Sequence, residues 1–145
     1  MFEKLFLLIK NNAGPAVINN PDVPQKFHDA VINEASSTII EVLKSQIETG
    51  KMKDLVSFFQ FSGIYNNSLV KIMVYRFTNK LVKFYGIEAN TALSVANSLI
   101  PPVMQELVKQ SKNERNKEFL LTNLLSKLNA NRADLTMLVN IMMAA

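Results

Sequence analysis

PQKFHDAVINEASSTIIEVLKSQIET, residues 24–49, decides the fold. His28, Val31, Ile32, Ala35, Ile39, Val42 and Leu43 fall on one side of a helix, while Asp29, Asn33, Glu34, Ser37, Glu41 and Lys44 fall outside that arc. Apolar side chains returning every three to four positions bury one helical face, whereas a half-buried strand would alternate every second residue. Pro24 suits the first turn, where its missing N–H interrupts no intrahelical bond. Gly50 follows as a left-handed cap, the conformation a Cβ penalises.

The same period continues on both sides. Toward the C-terminus it predicts a short helix over 52–60 with Met52, Leu55, Val56 and Phe59 facing inward. Gly63 and Asn66-Asn67 mark a turn. A helix over 67–85 follows, burying Val70, Met73, Val74, Phe77, Leu81 and Phe84, and Gly86 stops it. Over 88–112 the stripe Ala92, Val95, Ala96, Leu99, Val103, Met104 and Leu107 contains Pro101-Pro102, which remove two amide donors and predict a sharp kink or a break. The polar run Lys109–Lys117 reads as a loop or frayed end, followed by short helices over 118–129 and 133–143. Toward the N-terminus, Phe2, Leu5, Phe6 and Ile9 define a short helix over 2–12. Residues 15–24, with Pro15, Pro21 and Pro24, form an ordered loop with about one helical turn. The expected architecture is an all-α, single-domain bundle of about seven to eight helices, centred on 24–49, 67–85 and 88–112. A length of 145 residues and an apolar content of 48% suit one core.

A weak internal duplication fits the pattern. Residues 28–60 and 92–128 each read as a longer amphipathic helix, a polar turn and a short apolar helix. A shift of 64 sets Val31, Ile32, Ile39 and Leu43 against Val95, Ala96, Val103 and Leu107. Few residues are identical, so two helices of similar period explain the match equally well.

Tyr85-Gly86-Ile87-Glu88, then Ala92, Ala96 and Ser98-Leu99-Ile100-Pro101-Pro102-Val103-Met104, carry a resemblance, together with Asn20-Pro21-Asp22-Val23-Pro24 and Glu34-Ala35-Ser36-Ser37-Thr38-Ile39-Ile40. On these stretches the chain resembles the bacterial YidB-like helical proteins, a family of unknown function, across most of residues 15–128. It departs from them in keeping only Gly63 of the glycine-rich linkers and in lacking a proline-containing turn over Lys112–Glu118. The resemblance implies a helical bacterial protein and supplies no functional residue.

Composition narrows the chemistry. Without cysteine there is no disulfide, thiolate metal site or thiol nucleophile. Four glycines, no two within one short motif, exclude a phosphate-cradling loop. The apolar run Leu5–Ile9 is too short for a signal-peptide core, and no window is long enough to span a bilayer, so a cytoplasmic protein is expected. His28 is the only histidine; with neither a second histidine nor a convergent carboxylate pair, it reads as a structural boundary residue rather than a ligand or base. No cofactor, metal or catalytic residue is expected.

Net charge is +4, and it is concentrated. No acid occurs between Asp54 and Glu88, a window holding Lys71, Arg76, Lys80 and Lys83, while the remaining twelve bases balance the twelve acids. Arg76, Lys80 and Lys83 share a narrow helical arc. The favoured function is a non-enzymatic interaction or scaffolding domain that binds a protein partner or a second copy as a homodimer. Its candidate interaction helix is 133–143, through Met137, Leu138, Ile141 and Met142, although the same apolar residues would equally fill the core. One alternative is weak nucleic-acid binding through Arg76, Lys80 and Lys83, which predicts affinity that falls with salt. The other is small-molecule binding in an interhelical pocket near His28 or Pro101.

Overall fold

The computed structural model describes residues 2–61, 67–113, 115 and 119–128. Six α-helices occur among them: α1 (Phe2–Asn11), α2 (His28–Glu48), α3 (Met52–Phe61), α4 (Ser68–Tyr85), α5 (Ala89–Ser111) and α6 (Leu121–Leu128). A π-helical turn at Gly14–Ile18 and a 3-10 turn at Gln25–Phe27 complete the helical segments, and no strand occurs among the described residues. The all-α bundle read from the sequence is the fold observed. The turn at Gly63 and Asn66 and the helix expected over 133–143 lie outside the described residues, as does the Phe2 side chain.

Local chemistry sets the helix ends. Asn67 Oδ1 accepts the Leu69 N–H at 2.8 Å, satisfying one of the donors left free at the start of α4. Gly86, at φ 63°, takes the left-handed conformation that ends α4, and the Ile87 N–H closes back on the Leu81 carbonyl. Gly50, at φ 77°, plays the same part after α2, where the Lys51 N–H donates to the Gln46 carbonyl at 2.8 Å.

Two expectations are corrected. Of the sharp kink or break expected at Pro101-Pro102, the break does not occur: α5 runs unbroken from Ala89 to Ser111 with both inside. The carbonyls they leave without intrahelical donors belong to Asn97 and Ser98, both exposed, where water can serve them, while Leu99, Ile100, Val103 and Met104 hold the opposite face in the core. The helix therefore also covers Lys109–Ser111, part of the predicted loop. Phe84 is not buried but 60% exposed; at the end of α4 it is Tyr85 that turns inward, its ring edge-on to Phe27 at 5.4 Å between centroids.

Packing joins helices distant in the chain. α4 lies against α5 and α2, α1 against α2, the π-helical turn against α5, α3 against α2 and α5, and α6 against α2. One cluster of buried side chains runs through all six helices. Within it the shift of 64 extends well beyond the positions that suggested it. Leu5 and Leu69, Ile9 and Met73, Ala13 and Phe77, Val17 and Leu81, Val23 and Ile87, Val31 and Val95, and Leu43 and Leu107 are all buried. Pro24 (φ −56°, ψ 138°) and Glu88 (φ −57°, ψ 142°) lead into the long helices with the same backbone conformation. α1 with its π-helical turn thus occupies the place in the first half that α4 occupies in the second. The link over 112–120 is longer than that over 49–51, and past it the match continues in a new register: Met52, Leu55, Val56 and Phe59 answer to Leu121, Leu124, Leu125 and Leu128, all buried. Each half lays helices across the long helix of the other, so the two interlock rather than sit side by side.

Candidate functional site

The outward face of α4 is built from the residues its core does not use. Counting about 100° per residue, Lys71, Val82, Tyr75, Asn79, Ile72, Lys83 and Arg76 follow one another across an arc of about 140°, and all of them are exposed. Three are large apolar side chains in solvent: Tyr75 is 64% exposed, Val82 40% and Ile72 39%. Cations stand at both margins of this strip, Lys71 on one side and Lys83 and Arg76 on the other. Leu93 of α5, 38% exposed, continues the apolar surface across a groove of about 290 Å3 whose walls include Val70, Val74, Tyr75, Asn97 and Pro101.

Lys80, predicted to join Arg76 and Lys83, lies beyond the edge of this face and turns toward α2. Its Nζ is 3.1 Å from each Glu41 carboxylate oxygen and 3.8 Å from Glu34 Oε2. Arg76 and Lys83 remain exposed, and Lys83 rests over the Phe84 ring at 5.7 Å. The basic arc therefore presents two outward charges, with Lys71 a third across the apolar strip. Tyr85 joins the buried side of the same network: its hydroxyl lies 3.4 Å from both the Ala30 carbonyl and Glu34 Oε1. Burial, and then the Glu34 charge and hydrogen bond, push the phenol above its ordinary range. Glu88, which caps α5, is held below the ordinary carboxylate range by backbone N–H donors from Asn90 and Thr91 and by the Thr91 hydroxyl.

His28 is half-buried at the start of α2. Its Nε2–H donates to the Val23 carbonyl at 3.1 Å, a partner that can only accept, so this nitrogen carries the proton. The hollow beside it, about 520 Å3 and open to solvent, is lined by Asn19, Asn20, Pro21 and Gln25 among others. Among the described residues no group of three or more histidines, aspartates or glutamates is placed to hold a metal ion, and no buried side-chain polar atom lacks a hydrogen-bond partner. No described helix is long and apolar enough to cross a membrane. Met137, Leu138, Ile141 and Met142 lie outside the described residues.

Ile72, Tyr75, Val82 and Leu93 were not singled out by the sequence reading. Their signal was present, because each falls on the polar side of its helical wheel, but a scattered exposed apolar residue is ordinary until a fold gathers several on one face. The halves also show that this face is not a requirement of the fold. At the positions corresponding to Val74 and Leu93, the first half has Lys10 and Asp29, an ion pair at 3.4 Å. No family model, curated protein or solved structure matches the chain.

Proposed function

We propose that this chain is a non-enzymatic protein-interaction domain that docks a partner on the outward face of α4 and the α4–α5 groove. The single observation that supports this most is the exposed strip Ile72, Tyr75 and Val82 beside a groove that Tyr75 and Leu93 line, where the positions of Val74 and Leu93 are taken in the other half by the ion pair Lys10–Asp29. Tyrosine at 64% exposure suits such a role, since it offers a large contact area with few rotors to immobilise. The YidB-like resemblance supplies no site residue, and the α4 face is what supports the proposed role. A cytoplasmic setting belongs to the same proposal and suits the absence of cysteine.

A photo-crosslinking amino acid at Tyr75, in the otherwise intact chain inside its host cell, is expected to give one dominant protein adduct; the same probe at exposed Lys53 on α3 gives none. A self-adduct would identify the homodimer form of the proposal. Absence of an adduct at Tyr75, or the same adducts from both positions, would sink it. Replacing exposed Tyr75 by the probe is expected to change folding stability by no more than about 0.5 kcal/mol, as for other surface sites, so absence of an adduct cannot be blamed on unfolding.

A further inference from the structure

We infer that the partner element is an acidic amphipathic helix of about three turns, seated along α4 with its apolar stripe on Ile72, Tyr75, Val82 and Leu93 and its carboxylates beside Lys71, Arg76 and Lys83. This rests on the docking face proposed above and adds the chemistry of what it takes. Three observations carry it. The residues from Leu55 to Ile87 contain no acid, so nothing on α4 neutralises the face from within. Of the four α4 cations, Lys80 is drawn away to Glu34 and Glu41 of α2, leaving Lys71, Arg76 and Lys83 to flank Ile72, Tyr75 and Val82. The strip from Lys71 to Lys83 runs about 18 Å at the usual helical rise, the length of about three turns of a partner helix, and the groove lined by Lys71, Tyr75 and Leu93 flanks its first turns.

Charge also selects among occupants. A second copy docked face to face about a twofold axis would bring two faces of the same positive charge together, which like-charge repulsion disfavours. The chain's own residues 129–145 carry only Arg132 and Asp134 and so offer no negative excess. An acidic helix supplies both halves of the recognition: apolar burial for affinity and opposite charge for orientation and capture rate.

The test is a displayed library of 18-residue amphipathic helices, with Leu, Phe or Met on one face and Glu, Gln or Lys randomised beside it, selected against the full chain. The expected result is enrichment of glutamate at the flanking positions. The winning peptide should bind Tyr75→Asp at least tenfold more weakly, and binding should weaken further with salt. The triple variant Lys71→Glu, Arg76→Glu, Lys83→Glu, with Arg76→Glu alone as a check against misfolding, should lose the acidic peptide and gain lysine-flanked ones. Enrichment of neutral or basic helices that still depend on Tyr75 would overturn the acidic partner and leave the docking face standing. No enrichment, or binding indifferent to Tyr75, would overturn both. Phosphatidylserine vesicles or duplex DNA bound more tightly than any peptide, and released by the same charge reversals, would assign the cations to a membrane or a nucleic acid and overturn the inference.

Discussion

Tyr85 shows how a single side chain joins the two halves. It is half-buried at the end of α4, meets Phe27 edge-on at 5.4 Å and places its hydroxyl at the Ala30 carbonyl and Glu34 of α2. Burial and the neighbouring carboxylate both disfavour the phenolate, so the folded state holds this proton more tightly than the unfolded chain does. The stabilisation is complete below the ordinary phenol pKa of about 10 and is lost as pH rises through the higher folded value. Tyr85→Phe should therefore flatten the fall in melting temperature on the alkaline side while costing little near neutrality, because a 3.4 Å hydrogen bond is a weak one. A wild-type curve above pH 10 that the substitution leaves unchanged would contradict this account. At Glu88 the sign is opposite: its carboxylate is favoured in the fold, so its contribution is present above the ordinary carboxylate range and lost as pH falls below it.

α5 is the element whose sequence and structure disagree most. Two consecutive prolines in a helix interior each remove an amide donor and crowd the preceding turn, yet the helix continues through them because one side is held by the core and the other is wet. Pro101 is buried and lines the groove, whereas Pro102 is only half-buried. Replacing Pro102 by alanine restores a donor to the Ser98 carbonyl and improves helix propensity, so a gain of about 1–3 kcal/mol is expected in chemical denaturation. A loss instead would show that the local geometry imposed by Pro102 is one the packing of α5 needs.

At the scale of the whole molecule, the halves cannot be separated without exposing the core. α4 rests on α2 and α3 on α5, so each half's buried stripe is covered partly by the other. Thermal unfolding should be one transition, with calorimetric and van't Hoff enthalpies equal. Phe77, fully buried on α4, is expected to cost about 3–5 kcal/mol when cut to alanine and to lower that single transition without splitting it. Two resolved transitions would show that the halves fold independently. The interlocking also explains why the outward face of α4 is available: its other sides are taken by α2 and α5, leaving the arc from Lys71 to Arg76 facing away from the bundle.

The helices were legible in residues 24–49 and 67–85 because burying one face imposes a period of three to four on the chain, and that period survives whatever the helix packs against. The caps at Gly50 and Gly86 were legible for an equally local reason, a backbone conformation that glycine adopts without a Cβ clash. What the sequence could not settle depended on neighbours distant in the chain. Lys80 looked like a surface cation until α2 brought Glu34 and Glu41 within reach, and Pro101-Pro102 looked like a break until the core held one side of α5. Which apolar side chains stay in solvent, and so where a partner can dock, is fixed only when helices far apart in sequence have chosen one another, since exposure belongs to the assembled surface and not to any residue alone.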